Sequence, residues 1–164
     1  MRRVVSGGQT GVDRAALEAA LACGLEIGGW CPPGRASEDG TIPSHLPLRE
    51  TPRERSPEAP AIARSQRTEW NVRDSDATLV LRPSGGPPDP GTNWALECAG
   101  RFGRPVLVAD PWAPDAARRI SHWLAGLDVG TLGVGGPSEA TVPGIGERVH
   151  QLLVEVLGGA RRRG

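Results

Sequence analysis

Lysine is missing from this sequence: all 19 basic residues are arginine. Its absence excludes a Schiff base with pyridoxal phosphate and a Walker A loop, which needs a lysine to reach the phosphates. Any bound anion must be held by backbone N–H groups, hydroxyls and arginine. Cysteine is scarce: Cys23, Cys31 and Cys98 are odd in number, far apart and outside any CxxC spacing, so neither a disulfide framework nor a thiolate zinc site is indicated. His45, His122 and His150 are equally isolated and show no metal spacing. Long apolar runs are lacking, since Met1-Arg2-Arg3 leads into only two apolar residues and nothing approaches the ~20 residues of a membrane span. Net charge is zero and the arginines are spread along the chain, so the electrostatic footprint of a nucleic-acid binder is missing. Arg161 to Arg163 read as a solvated end. The expectation is a cytoplasmic protein with no nucleic-acid and no membrane partner.

What is present suits one domain, 1–164, because single cores typically serve about 100–200 residues. Strand and helix signals alternate: a strand at 2–6, a helix at 12–24, a strand at 25–30, a helix at 68–76, a strand at 76–83, a helix at 91–103, a strand at 104–110, a helix at 114–127, a strand at 129–136 and a helix at 144–159. Thr10 and Asp13 have the spacing of a capping box at the start of the first helix. Short strands without polar alternation, each returned by a helix, predict an α/β fold, a Rossmann-like open parallel sheet of about five strands with helices on both faces. The first strand is expected near the middle. A Pro-, Arg- and Ser-rich stretch at about 31–64 is too long for an ordinary connection and is read as an arm or lid; residues 160–164 are read as a disordered tail.

Ligands of open parallel sheets bind beyond the carboxyl ends of the strands. Three strands here end in glycine-rich turns bearing hydroxyls: Ser6-Gly7-Gly8-Gln9-Thr10-Gly11, then Ser84-Gly85-Gly86 leading on to Gly91-Thr92, and Gly135-Gly136-Pro137-Ser138. Such turns feeding helices make cradles for a phosphate or other oxyanion, with the N–H groups around Gly8 to Val12 and the Thr10 hydroxyl as expected donors. The spacing of the first turn is not GxGxxG, and no acidic residue ends the second strand, so a dinucleotide fingerprint is excluded.

The blocks SGGQTGVDRAALEAAL, GGWCPPGRASEDGTIP, RTEWNVRDSDATLVL and GVGGPSEATVPGI resemble those of the molybdenum carrier proteins, a circularly permuted, YpsA-like branch of the Rossmann-like superfamily that includes the cytokinin-activating phosphoribohydrolases. The resemblance covers most of the chain. It implies a carrier of a molybdopterin-type cofactor or a nucleotide, with site residues at matching positions: Ser6 to Gly11 and Asp13, Arg35, Glu38 and Asp39, Arg67, Thr68, Asn71, Asp74 and Asp76, and Gly135, Gly136 and Pro137. The hydrolase signature PGGxGTxxE is only partly echoed. Gly85-Gly86 is separated from Gly91-Thr92, and Glu97 lies five residues after Thr92 where three are wanted.

The ligand-binding candidates are therefore Ser6, Gly7, Gly8, Gln9, Thr10, Gly11, Arg35, Arg67, Asn71, Gly85, Gly86, Gly91, Thr92, Gly135, Gly136 and Pro137. If the protein is a phosphoribohydrolase-type N-glycosidase, the candidate catalytic groups are Glu97, Asp39 and Arg67. Glu38 and Asp39 are the candidates for Mg²⁺ bound with phosphate. Trp30 and Trp94 are the better base-stacking candidates among five tryptophans. The expected partner is a phosphorylated small molecule, and the arm and tryptophans suggest a homo-oligomer, an assembly that could also be a scaffold without a ligand.

Overall fold

A computed structural model of the chain describes residues 1–161. Its elements are β1 (Arg3–Val5), α1 (Val12–Ala22), β2 (Glu26–Gly28), β3 (Trp30–Cys31), a 3-10 turn (Pro33–Arg35), β4 (Ala36–Ser37), β5 (Gly40–Thr41), β6 (Arg49–Glu50), α2 (Ser65–Arg73), β7 (Ala77–Leu81), α3 (Pro90–Arg101), β8 (Val106–Ala109), α4 (Ala116–Ala125), β9 (Thr131–Gly135) and α5 (Ile145–Arg161). Five strands form one sheet in the order β2-β1-β9-β7-β8, and every pairing in it is parallel. β7 is apolar or small along its length and buried at all five positions, as a strand covered on both faces must be.

β1 lies near the middle of the sheet, as expected, but the centre is β9, the last strand: Val4 of β1 faces Leu132, and Leu79 of β7 faces Val134 on the other side. Placing β9 and α5 ahead of β1 would give the spatial order 3-2-1-4-5 of a mononucleotide-binding sheet. The chain thus has that architecture with its first βα unit moved to the end. The topological switch point, where ligands of such sheets bind, falls between β9 and β7.

One face of the sheet is covered by α1, α4 and α5, whose Val12, Ala16, Ile120, Val149 and Leu153 pack with Val4, Leu79, Leu81 and Leu132 in a single core. Val72 of α2 and Trp94, Cys98 and Ala99 of α3 form a second cluster. The segment 31–64 is a folded wall: Ile42, Leu46 and Leu48 pack on Leu17 and Cys31, and burying each leucine or isoleucine stabilises by about 1.5–3 kcal/mol.

Several boundaries differ from the sequence expectation. The strand expected at 25–30 breaks at Gly29, whose φ of 127° and closeness to the Ser6 carbonyl (2.4 Å from where a Cβ would stand) leave no room for a side chain. β3 then pairs with β6, outside the main sheet. The helix expected at 68–76 starts at Ser65, and Asp74 and Asp76 lie after it. Asp74 accepts from Trp30 Nε1, and Asp76 accepts from the N–H groups of Gly130 and Thr131. Of the tail expected at 160–164, residues 160 and 161 continue α5, and the remainder lies outside the described residues. Among the described residues, no helix is long and apolar enough to cross a membrane.

Candidate functional site

A crevice of about 360 Å³ opens at the carboxyl ends of the central strands, within the ~300–1,000 Å³ range of small-molecule sites. It gathers Gln9 from the turn after β1, Gly135 at the end of β9 with Gly136 just after it, and Asp89, Gly91 and Thr92 from the start of α3. Arg64 and Arg67 from α2 and Glu38 from the arm complete it. Asp89 caps α3 by accepting from the backbone and hydroxyl of Thr92. The N–H of Gly91, in the first turn, has no intrahelical acceptor, and the helix end adds roughly half a positive charge.

The side chain of Gln9 is fixed by its neighbours. Its Oε1 accepts from the N–H of Thr10 at 3.0 Å and of Glu38 at 2.9 Å. This assigns the amide orientation and leaves Nε2 buried with no partner. Arg67 pairs through Nη1 with Asp13 at 3.1 Å, while its Nε is also buried and unpartnered. Two orphaned donors in one crevice wall are a standing demand for an acceptor, since an unmet buried donor costs about 1–3 kcal/mol. Burial raises the pKa of Asp13 above the ordinary 3.8, outweighing the opposing pull of Arg67 and the Gln9 N–H.

The glycines of the first and last turns serve several purposes. A Cβ on Gly7 would strike Arg67 and Asp13, so Gly7 lets that pair lie across the strand end. A Cβ on Gly8 would stand 2.6 Å from Leu48 of the arm, and one on Gly11 2.6 Å from the Pro137 carbonyl, whereas at Gly135 it would meet open space. Gly8 and Gly11 therefore admit neighbouring protein and not an anion. The expected donors are also engaged: the Val12 N–H donates to Pro137 O at 3.2 Å, and the Thr10 hydroxyl donates to Glu38 at 2.8 Å. Thr10 does not cap α1; the N-cap is Gly11 and no side chain caps it.

The hairpin of β4 and β5 docks its Glu38-Asp39 tip on this turn. Burial alone would raise the pKa of Glu38, but the hydroxyls of Ser138 and Thr10 and the Ala140 N–H together hold it below the usual range. Asp39 binds Arg14 through both oxygens, at 2.6 and 3.2 Å, and Ser37 at 2.6 Å. The Arg14 bonds come first among the causes that hold its carboxyl well below the ordinary value. Both Asp39 oxygens and Glu38 Oε2 accept from protein donors, and among the described residues no group of three His, Cys, Asp or Glu could hold a metal ion.

Other predicted residues fall elsewhere. Arg35 gives its guanidinium to the carbonyls of Leu48, Pro43 and Leu46 inside the arm. Asn71 clamps the backbone of Trp30, accepting at 2.8 Å and donating at 2.9 Å, and the Ser6 hydroxyl donates to Val134 O at 2.6 Å. Glu97 is exposed on α3 and paired with Arg101 at 2.8 Å, away from the crevice. Gly85, Gly86 and Pro137 border an adjoining cavity of about 500 Å³ that shares Asp89. Trp94 is buried with Nε1 donating to Ser65 O, and Trp30 stacks edge-on with Trp70 at 4.8 Å; neither lines the crevice. Burial raises the thiol pKa of Cys31 and lifts that of Cys98 to about 12. Arg64 was missed from sequence, although it lines the crevice and holds a left-handed φ of 58°, and strained non-glycine residues cluster at functional sites. Nothing in the sequence marks that conformation.

A larger cleft of about 650 Å³ borders Glu38 on another side, but it is open and its walls carry Glu18, Asp39, Glu139 and Glu147. Arg14 lies there with an unpartnered Nε, yet its charge is met by Asp39 and the surrounding carboxylates repel an anion. The crevice, with Gln9, Arg64 and Arg67, is the better site.

The comparisons agree with this topology. Residues 4–157 match the circularly permutated YpsA SLOG family. The crystal structure of the "Putative molybdenum carrier protein" of Syntrophus aciditrophicus SB is similar, with 34% identity and a TM-score of 0.83 over 96% of this chain and 94% of that one. No match was found among curated proteins. With a last strand at the centre of the sheet and a family match over nearly its whole length, the chain belongs to the circularly permutated YpsA SLOG family.

Proposed function

We propose that the crevice binds a small phosphorylated ligand, nucleotide-like or molybdopterin-like, and that the chain is a binding protein for it. The observation that carries the reading is the buried, unpartnered Gln9 Nε2, held in place by two backbone donors to its own carbonyl oxygen, on a side chain that lines the same crevice as the start of α3. The phosphate meets Gln9 Nε2, the Gly91 N–H and the guanidiniums of Arg64 and Arg67. Glu38 and Asp89, carboxylates in the same wall, accept from N–H and O–H groups of the rest of the ligand, so the site suits a molecule with one anionic end and a donor-rich body. A ribose with its base and a pterin both meet that description. The name of the similar Syntrophus protein points the same way. The N-glycosidase reading loses its two named carboxylates, because Glu97 lies outside the crevice and Asp39 is held by Arg14.

The test is calorimetry and thermal shift with AMP, a pterin phosphate, molybdate and inorganic phosphate, on the native chain and on Gln9→Glu. That variant keeps the acceptor for Thr10 and Glu38 but replaces the donor with a carboxylate oxygen. A phosphorylated compound is expected to stabilise the native chain through mass action, with affinity at least tenfold weaker in the folded variant. Stabilisation by none of the four, or equal affinity in Gln9→Glu, would overturn the reading.

A further inference from the structure

β8 is an edge strand, paired only with β7. The Thr78 N–H donates to Pro105 O and the Arg82 N–H to Ala109 O, so by the alternation of a strand residues 105, 107 and 109 turn their carbonyls inward. The N–H and C=O groups of Val106 and Val108 point outward, unpaired. Edge strands are usually blunted by charge, proline or a covering element. The opposite edge carries Glu26, but the outward-bonding positions of β8 are valines, 39% and 36% exposed. Two more exposed apolar residues flank them, Phe102 at 37% and Trp112 at 45%. The sequence here is symmetric about Leu107: Phe102 and Trp112, Arg104 and Asp110, and Val106 and Val108 lie at equal distances on either side.

We propose that two copies of this chain join by antiparallel pairing of their β8 edges about a two-fold axis at Leu107, making one continuous sheet. An isologous contact of this kind sets each residue against its mirror position. Val106 pairs with the partner's Val108, and since both point their backbone groups outward, the two residues exchange both hydrogen bonds. Their side chains fall on the same face and cover each other. Arg104 and Asp110, just beyond the two ends of the strand, bring opposite charges together with the partner's Asp110 and Arg104, twice over. Shifting the axis by one residue either way would lose both the charge match and the facing of Val106 on Val108. Charge complementarity and exposed apolar groups therefore select the same register. Val108 also borders the cavity of Gly85 and Gly86, so the second copy would close one side of that space.

Sedimentation of the native chain at about 10 μM, a concentration that detects dissociation constants up to the micromolar range, is compared with that of Val106→Glu. The new carboxylate would face its own copy and the partner's Asp110 diagonally across the pair, while an exposed position leaves the fold intact, which circular dichroism checks. The expected result is a native assembly whose mass the variant halves. Leu107→Cys, set against its own copy in a non-hydrogen-bonded pair with Cα atoms about 4.5 Å apart, is expected to cross-link under mild oxidation, within the span a disulfide accepts. A monomeric native chain, a Val106→Glu variant of undiminished mass, or a dimer of the Leu107→Cys variant that does not cross-link would each overturn the proposal.

Discussion

Asp13 is the residue that most repays a pH measurement. Its folded pKa lies above the unfolded value, because burial outweighs Arg67 and its hydrogen bonds. In the pH range between the two values, the folded chain keeps a proton that the unfolded chain has released. The resulting stability is complete below the unfolded value and falls as pH rises from about 3.8 through the folded pKa. Asp13→Asn abolishes that slope, so the unfolding free energy of the native chain minus that of the variant should decline across this window in urea titrations. A difference that is flat with pH would contradict it. The residue scale is also where sequence reading reached least far. That Gln9 keeps a buried donor without a partner while Asn71 is a backbone clamp depends on which atoms each amide finds after folding, and Glu38 and Trp30, which settle it, lie far from them in the sequence.

At the scale of elements, the glycine turns differ in what they leave room for. Gly136 lies where a Cβ would be 2.2 Å from the Leu81 carbonyl and 2.7 Å from Val12, so β9, β7 and α1 can close together only without a side chain there. Its neighbour Gly135 faces open space in the crevice wall. Gly136→Ala is expected to lower stability by about 1–3 kcal/mol, the usual scale of overpacking, whereas Gly135→Ala should leave stability nearly unchanged and weaken ligand binding. Denaturant titration and calorimetry on the two variants check this, and equal stability losses would contradict the difference. The glycine-rich turns were legible as the places where strands meet the crevice. Their purposes were not, because a glycine that faces open space and one that admits a carbonyl oxygen have the same letter. The arm hairpin shows the same limit: Glu38 and Asp39 read as metal candidates until Thr10, Arg14 and Ala140 are seen to hold them.

For the whole molecule, alternating strands and helices made the parallel α/β sheet legible, since apolar segments such as ATLVL need cover on both faces. Strand order was beyond reach of periodicity, because nothing local to TLGVG says that the last strand enters between β1 and β7. That insertion places the switch point where Gln9, Gly91 and Gly135 meet, the crevice on which the functional reading rests. It can be tested most directly by nitrogen-15 NMR during separate titrations with AMP and a pterin phosphate. The backbone N–H of Gly91 and the side-chain amide of Gln9 are expected to shift together and saturably, with resonances of Glu18 and Glu147 in the open acidic cleft unmoved. Saturable binding that leaves Gly91 and Gln9 unshifted, or no binding at all, would contradict it.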